Sequence, residues 1–241
     1  MTRHISGSVV MEERHNMQRQ HLLIDADDTL WENNIYFERA IHDFMLFLNH
    51  SSLQPAEVRA VLNEIEHEMG YGSANFTRSL LETYRRLAER TYTEEDLAQV
   101  RSFGEAIRHH PMEVISGVQE TLTYLAPRHH LILLTKGEEE EQRLKIENSG
   151  LAGYFSSILI TAEKDQSTYH TLIQEMQLDP GNTWMIGNSP RSDINPALAA
   201  GLNAVFIPHQ HTWQLEIQEV AHTGPGKLVC LDKFAQLREH F

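Results

Sequence analysis

The stretch HLLIDADDTLWENN, His21 to Asn34, sets three carboxylates, Asp25, Asp27 and Asp28, at the end of an apolar run. Leu22, Leu23 and Ile24 predict a short buried strand. Carboxylates crowded at such a strand end repel and desolvate one another, so the arrangement needs a cation, a proton or a chemical use. Asp28, the third of them, reads as an exposed turn residue without a chemical role.

Downstream the pattern changes to helical, with apolar residues recurring at three and four positions. The spacing predicts helices over Ile35 to Asn49, Pro55 to Met69, Phe76 to Arg90 and Thr93 to His109, with Pro55 and Thr93 placed as helix starts. Together they make an all-helical unit. Within it GYGSANFTRSL interrupts the pattern, so Tyr71 to Arg78 reads as a loop facing a site, with Arg78 as a candidate contact for a substrate anion. Beyond it apolar runs return at LILLT (Leu131 to Thr135), SSILIT (Ser156 to Thr161), TWMIG (Thr183 to Gly187) and NAVFIP (Asn203 to Pro208), each after a helix-like segment. That alternation is the signature of a parallel α/β sheet covered on both faces. GEEEEQR, Gly137 to Arg143, reads as the acidic first turn of a helix. After Pro208 one more strand, KLVCL, and a last helix are expected.

The chain therefore divides into a polar leader over 1–20, an α/β core over 21–33 and 111–241, and a helical insertion over 34–110. With 241 residues, 41% of them hydrophobic, it has ample material for a core. Twenty Lys and Arg stand against 34 Asp and Glu, a formal charge of -14, which argues against a nucleic-acid surface or attraction to anionic lipid. Cys230 is the single cysteine, and no run approaches a membrane span or a signal peptide, so a reducing, cytoplasmic setting is expected. Oligomeric state is left open. Fifteen histidines are present, but none has the spacing of a zinc site; His209 and His211, after the last core strand, would at most line a rim. Trp31, Tyr36 and Phe37 read first as packing residues.

In doubly wound sheets, functional groups collect at the carboxyl ends of the strands. Here those ends carry Asp25 and Asp27, then Thr135, then Lys164 a few residues beyond SSILIT, then Asn188 to Asp193. The ordered set DADDTL, LLTKG, Lys164 in TAEKDQSTYHTLI, and IGNSPRSDINPALAAG resembles the four motifs of the haloacid dehalogenase superfamily of phosphohydrolases. The resemblance runs from about His21 to Pro208, and the helical insertion sits where that superfamily carries its first-type cap. It implies a Rossmann-like core with an α-helical cap and a magnesium-dependent phosphatase acting on a small phosphorylated metabolite.

By that resemblance Asp25 is the nucleophile that forms an aspartyl phosphate, and Asp27 is the acid for the leaving alkoxide and then the base for water. Thr29 holds the turn and orients Asp27. Thr135, Lys136 and Lys164 bind the transferring phosphoryl group, Lys136 through its backbone N–H. Magnesium is held by Asp25, the Asp27 carbonyl, Asn188 and Asp193. Superfamily members commonly have Gly-Asp where this chain has Gly187-Asn188, so one ligand charge is missing. The dehalogenases of the superfamily lack an aspartate two positions after the nucleophile, which favours phosphoryl transfer. A phosphomutase of the same architecture, a receiver-like signalling module, and a catalytically weak phosphate-binding protein that kept the fold are the other readings. A receiver would accept phosphate on a later strand and would lack the large insertion.

Overall fold

The computed structural model describes residues 19–221 and 224–241. The expected leader lies outside them except for Arg19 and Gln20. Six parallel strands, β1 (His21–Ile24), β2 (His130–Lys136), β3 (Ser157–Thr161), β4 (Thr183–Gly187), β5 (Asn203–Phe206) and β6 (Leu228–Cys230), form one sheet in the order β3-β2-β1-β4-β5-β6. The chain builds outward on one side of β1 and then on the other, so the sheet changes direction between β1 and β4. The carboxyl ends of these two strands define the crevice in which such folds place ligands.

Alternation along the central strands feeds two cores. Leu22 and Ile24 pack with Leu131, Leu133, Trp184 and Ile186 on one face. Leu23 packs with Ile132, Leu134 and Met185 on the other. Both faces are covered by helices: α5 (Val118–Leu125), α6 (Glu139–Ser149), α7 (Gln166–Glu175) and the short α8 (Asn195–Ala199). The expected last helix is instead a 3₁₀ segment, Phe234–Glu239.

Between β1 and α5 lie α1 (Asn34–Leu48), α2 (Pro55–Met69), α3 (Ser73–Leu87) and α4 (Glu94–Arg108), which share a separate apolar cluster around Phe44, Leu62, Leu80 and Val100. Their ends follow the sequence signals. Pro55 opens α2, and Thr93 and Asp96 form a reciprocal capping box on α4, with Thr93 N–H donating to Asp96 Oδ2 at 2.8 Å and Asp96 N–H to Thr93 Oγ1 at 3.2 Å. Gly104 lets α4 approach α3, since a Cβ there would come within 2.9 Å of the Thr77 Cα. The two connections to the sheet run side by side: Glu32 N–H donates to Glu113 O and Ile115 N–H to Leu30 O, each at 2.9 Å.

The loop expected over Tyr71 to Arg78 is shorter. Only Gly70 to Gly72 is irregular, with φ of 82° at Gly70 and 99° at Gly72, and α3 begins at Ser73. Ser73 is fixed by Glu141 of α6, whose Oε2 accepts from both its N–H (3.0 Å) and its Oγ (2.9 Å).

Candidate active site

Beyond β1 the Asp25 N–H donates to Ile186 O at 2.9 Å, extending the ladder by one residue and placing Asp25 at the crevice. The chain then turns tightly, the N–H groups of Thr29 and Leu30 both donating to Ala26 O. This turn stacks Thr29 over Asp25. Its Oγ1 donates to Asp25 Oδ2 at 2.9 Å and lies 3.4 Å from Asn188 Oδ1. Thr29 therefore orients Asp25, where Asp27 was expected.

Asp27 is held by other groups. Trp31 Nε1 donates to its Oδ1 at 2.7 Å, Gln142 Nε2 to its Oδ2 at 3.1 Å, and Lys145 Nζ reaches both oxygens at 3.2 and 2.9 Å. Burial pushes the Asp27 carboxyl up, but the Lys145 charge and these hydrogen bonds outweigh it and hold the carboxyl below its ordinary range. Gln142 and Lys145 are three residues apart on α6 and so share a face.

Asp28 corrects its sequence reading: it is buried, not exposed. In the left-handed conformation, φ 61°, its side chain points inward and accepts from the N–H groups of Asn33 (2.9 Å) and Asn34 (3.0 Å), the start of α1. Burial pushes its carboxyl up to about 7 against those two bonds.

Lys164 is 3% exposed and bridges two strand ends, its Nζ lying 2.6 Å from Asp25 Oδ1 and 2.5 Å from Asp193 Oδ1. Burial and then the Asp193 charge push the Asp25 carboxyl up to about 7, although Lys164 opposes them. Asp193 is fully buried, and its Oδ2 accepts from Ser189 N–H at 2.9 Å. It sits on a π-helical turn, Pro190–Ile194, tight against β4, where a Cβ at Gly187 would clash with its carboxylate. Asn188 directs Nδ2 to Thr212 Oγ1 at 2.9 Å, which leaves its Oδ1 toward Thr29. Thr135 is buried at the end of β2 with its Oγ1 3.3 Å from Gln142 Oε1.

The Lys136 side chain is committed elsewhere. Its Nζ is 2.6 Å from Glu216 Oε1, 2.8 Å from Ser192 Oγ, 3.0 Å from the Tyr71 hydroxyl and 3.2 Å from Glu163 Oε1. Glu216 also accepts from Ser189 Oγ and Ser192 Oγ. Arg78 is exposed on α3, donates to Asn75 Oδ1 and does not line the cleft; the helix begun at Ser73 turns it outward. His209 lies 3.2 Å from Glu32 Oε2 and 3.7 Å from Asp28 Oδ1, and these three could hold a cation, although His209 Nδ1 already accepts from His211 N–H.

Asp25, Asp27, Thr135, Lys136, Lys164, Asn188 and Asp193 all line one cleft of about 1000 Å³, measured with its open mouth, that extends between the sheet and the four-helix unit. Four carboxylates, Asp25, Asp27, Asp28 and Asp193, face two ammonium groups there, Lys164 and Lys145, and the Asp193 charge adds to burial in raising Asp25. Asp25 and Asn188 both present oxygen atoms beside Thr29 Oγ1. This hard-oxygen, charge-deficient corner fits a divalent cation of the magnesium type. Sequence reasoning missed Gln142, Lys145 and Glu216. The first two were detectable by their shared helical face, whereas Glu216 comes from an aperiodic segment after β5.

Comparison with known proteins places these motifs. The family model for haloacid dehalogenase-like hydrolases matches residues 20–201. Among curated proteins the chain is similar to human N-acylneuraminate-9-phosphatase, 30% identical over 117 residues, 46% of this chain and 47% of that protein. It is also similar to phosphoserine phosphatase of Thermus thermophilus, 33% identical over 82 residues, 32% of this chain and 33% of that one. The matches thus span half or less of these relatives' length. Among solved structures, a haloacid dehalogenase-like family hydrolase from Xanthomonas campestris superposes with a TM-score of 0.80 at 32% identity, covering 92% of this chain and 94% of that one.

Proposed function

The chain belongs to the haloacid dehalogenase-like hydrolases, and from that premise we propose that it is a magnesium-dependent phosphatase of a small phosphorylated metabolite. The observation that carries the reading is the pairing of two unlike carboxylates on one turn: Asp25 beside Lys164 and Thr29, and Asp27 beside Lys145, Gln142 and Trp31. The phosphatase names of the curated relatives support it.

Asp25 attacks phosphorus, forming the carboxylate–phosphoryl bond as the ester oxygen leaves. Asp27, two residues on and facing the same cleft, protonates that oxygen and later takes a proton from the water that hydrolyses the aspartyl phosphate. Lys164 stabilises charge on the transferring group while also holding Asp25, and Thr135 adds a hydroxyl donor. Asp27 as held here is ionised, the form required of the base. An incoming phosphate dianion competes for Lys145 and so loosens the pairing that disfavours the acid form.

Asp25, Asn188 and the Asp27 carbonyl would hold magnesium, with Asp193 behind them through Lys164. When bound, the ion would polarise a phosphoryl oxygen and offset the charge of the assembled carboxylates. The amide at Asn188 favours one second reading, a phosphate-binding protein with weak turnover.

The test is phosphate release from a panel of small phosphate esters, with and without magnesium, for wild type, Asp25→Asn and Asn188→Asp. Activity of the wild type with magnesium and none for Asp25→Asn supports the phosphatase. Activity confined to Asn188→Asp supports the weak-turnover reading.

A further inference from the structure

At the end of the cleft formed by the four-helix unit, α1 and α2 supply Glu38, Arg59 and Glu66. Arg59 is already satisfied. Its Nη1 and Nη2 make a bidentate pair with Glu38 at 2.9 and 2.7 Å, and its Nε donates to Asn63 Oδ1 at 3.0 Å. Glu66 is not satisfied. It is 6% exposed, yet its Oε2 is buried without any hydrogen-bond partner. A buried acceptor left unpaired costs about 1–3 kcal/mol, and most buried polar atoms have a partner in the protein, an ordered water or a ligand. Burial, reinforced by Glu38 and opposed by Arg59, pushes its carboxyl up to about 7.

The rest of the cleft limits what that partner is. Its lining holds nine carboxylates and four cations, and each of those cations, Arg59, Lys136, Lys145 and Lys164, is already in an ion pair. A leaving group bearing its own carboxylate would find no uncommitted cation, and near Glu66 it would meet like charge and an acceptor-rich surface. A hydroxyl, by contrast, donates to Glu66 Oε2 without adding charge. Phe37, Ile41 and Phe76 line the same cleft and provide apolar surface for a carbon skeleton.

We propose that Glu66 determines specificity at the leaving-group end, accepting a hydrogen bond from a hydroxyl of a polyol- or sugar-type phosphate monoester, and that the cleft disfavours esters whose leaving group carries a second anion. This rests on the phosphatase reading for its chemistry but not for its binding, which separates the two in the test. Phosphate release by wild type is compared for sorbitol phosphate, phosphoethanolamine and phosphoglycolate, and repeated with Glu66→Leu and Glu66→Gln. In parallel the Asp25→Asn protein, with and without Glu66→Leu, is titrated calorimetrically with the same three esters.

The expected order is sorbitol phosphate, then phosphoethanolamine, whose ammonium is the alternative donor, then phosphoglycolate. Glu66→Leu lowers kcat/KM for sorbitol phosphate relative to phosphoglycolate about tenfold and weakens calorimetric binding similarly, the loss of one hydrogen bond to a buried group. Glu66→Gln, which keeps an acceptor oxygen, restores part of that ratio; a merely structural role would not produce such a rescue. Preference for phosphoglycolate, or sorbitol phosphate binding indifferent to Glu66→Leu, overturns the proposal. If no ester is turned over by wild type, the phosphatase reading fails and the calorimetric arm still decides Glu66.

Discussion

Replacing Glu66 with glutamine should stabilise the protein above neutral pH and leave it nearly unchanged in mild acid. The Glu66 carboxyl lies at about 7 in the folded protein against an ordinary 4.5. Between those values the folded state binds the proton that the unfolded chain has released, so wild type loses stability as pH rises through this window. At about 1.4 kcal/mol for each pH unit, the cost of the buried charge is roughly 3 kcal/mol once the window is passed. For a chain of this size that corresponds to roughly 6–12 °C in Tm. The glutamine amide brings its own hydrogen-bonding demand, but that demand does not change with pH. The assay is therefore a difference of differences: thermal unfolding of wild type and Glu66→Gln at about pH 5 and about pH 8.5, where all other titrations cancel between the two proteins. The variant should gain on wild type only at the higher pH. An equal gap at both would refute the claim that Glu66 is buried as an uncompensated acid.

Glu216→Gln should behave oppositely. Burial raises the Glu216 carboxyl, but Lys136 and the hydroxyls of Ser189 and Ser192 outweigh it and hold the group below its ordinary range, so its contribution is present at neutral pH and lost as pH falls. Because Glu163 remains beside Lys136, the loss at neutral pH should be about 2–3 kcal/mol, at or below the usual range for a broken buried pair, and urea titrations should show it shrinking in acid. Gly187→Ala should cost about 1–3 kcal/mol, because the methyl must displace the Asp193 carboxylate; with it Lys164 moves, so phosphate release should fall further than stability does.

Much of the sheet was legible because its strands are near-continuous apolar runs closed by polar residues, a pattern that requires burial on both faces. The four helices were legible from their period and from Pro55 and Thr93. The misreadings share a cause: contact across elements. Ser73 starts α3 because Glu141, far away in sequence, accepts from its N–H and hydroxyl, and that one helix start removes Arg78 from the cleft. Asp28 looked like a turn residue and is one, but its left-handed backbone turns the carboxylate inward to the start of α1. The partner of the Lys136 side chain, Glu216, could not be read, because nothing periodic marks it. Lys145 was within reach, since a helix beginning at Glu139 carries Gln142 and Lys145 on one face, the face that meets Asp27.

The aspartyl phosphate on Asp25 can be sought by acid-quenching the enzyme during turnover of its best ester and mapping covalent phosphate by mass spectrometry. Phosphate is expected on the peptide carrying Asp25, absent from Asp25→Asn and accumulating when Asp27→Asn slows hydrolysis of the intermediate. Turnover with no phosphopeptide, or with phosphate on another residue, would contradict Asp25 as the nucleophile.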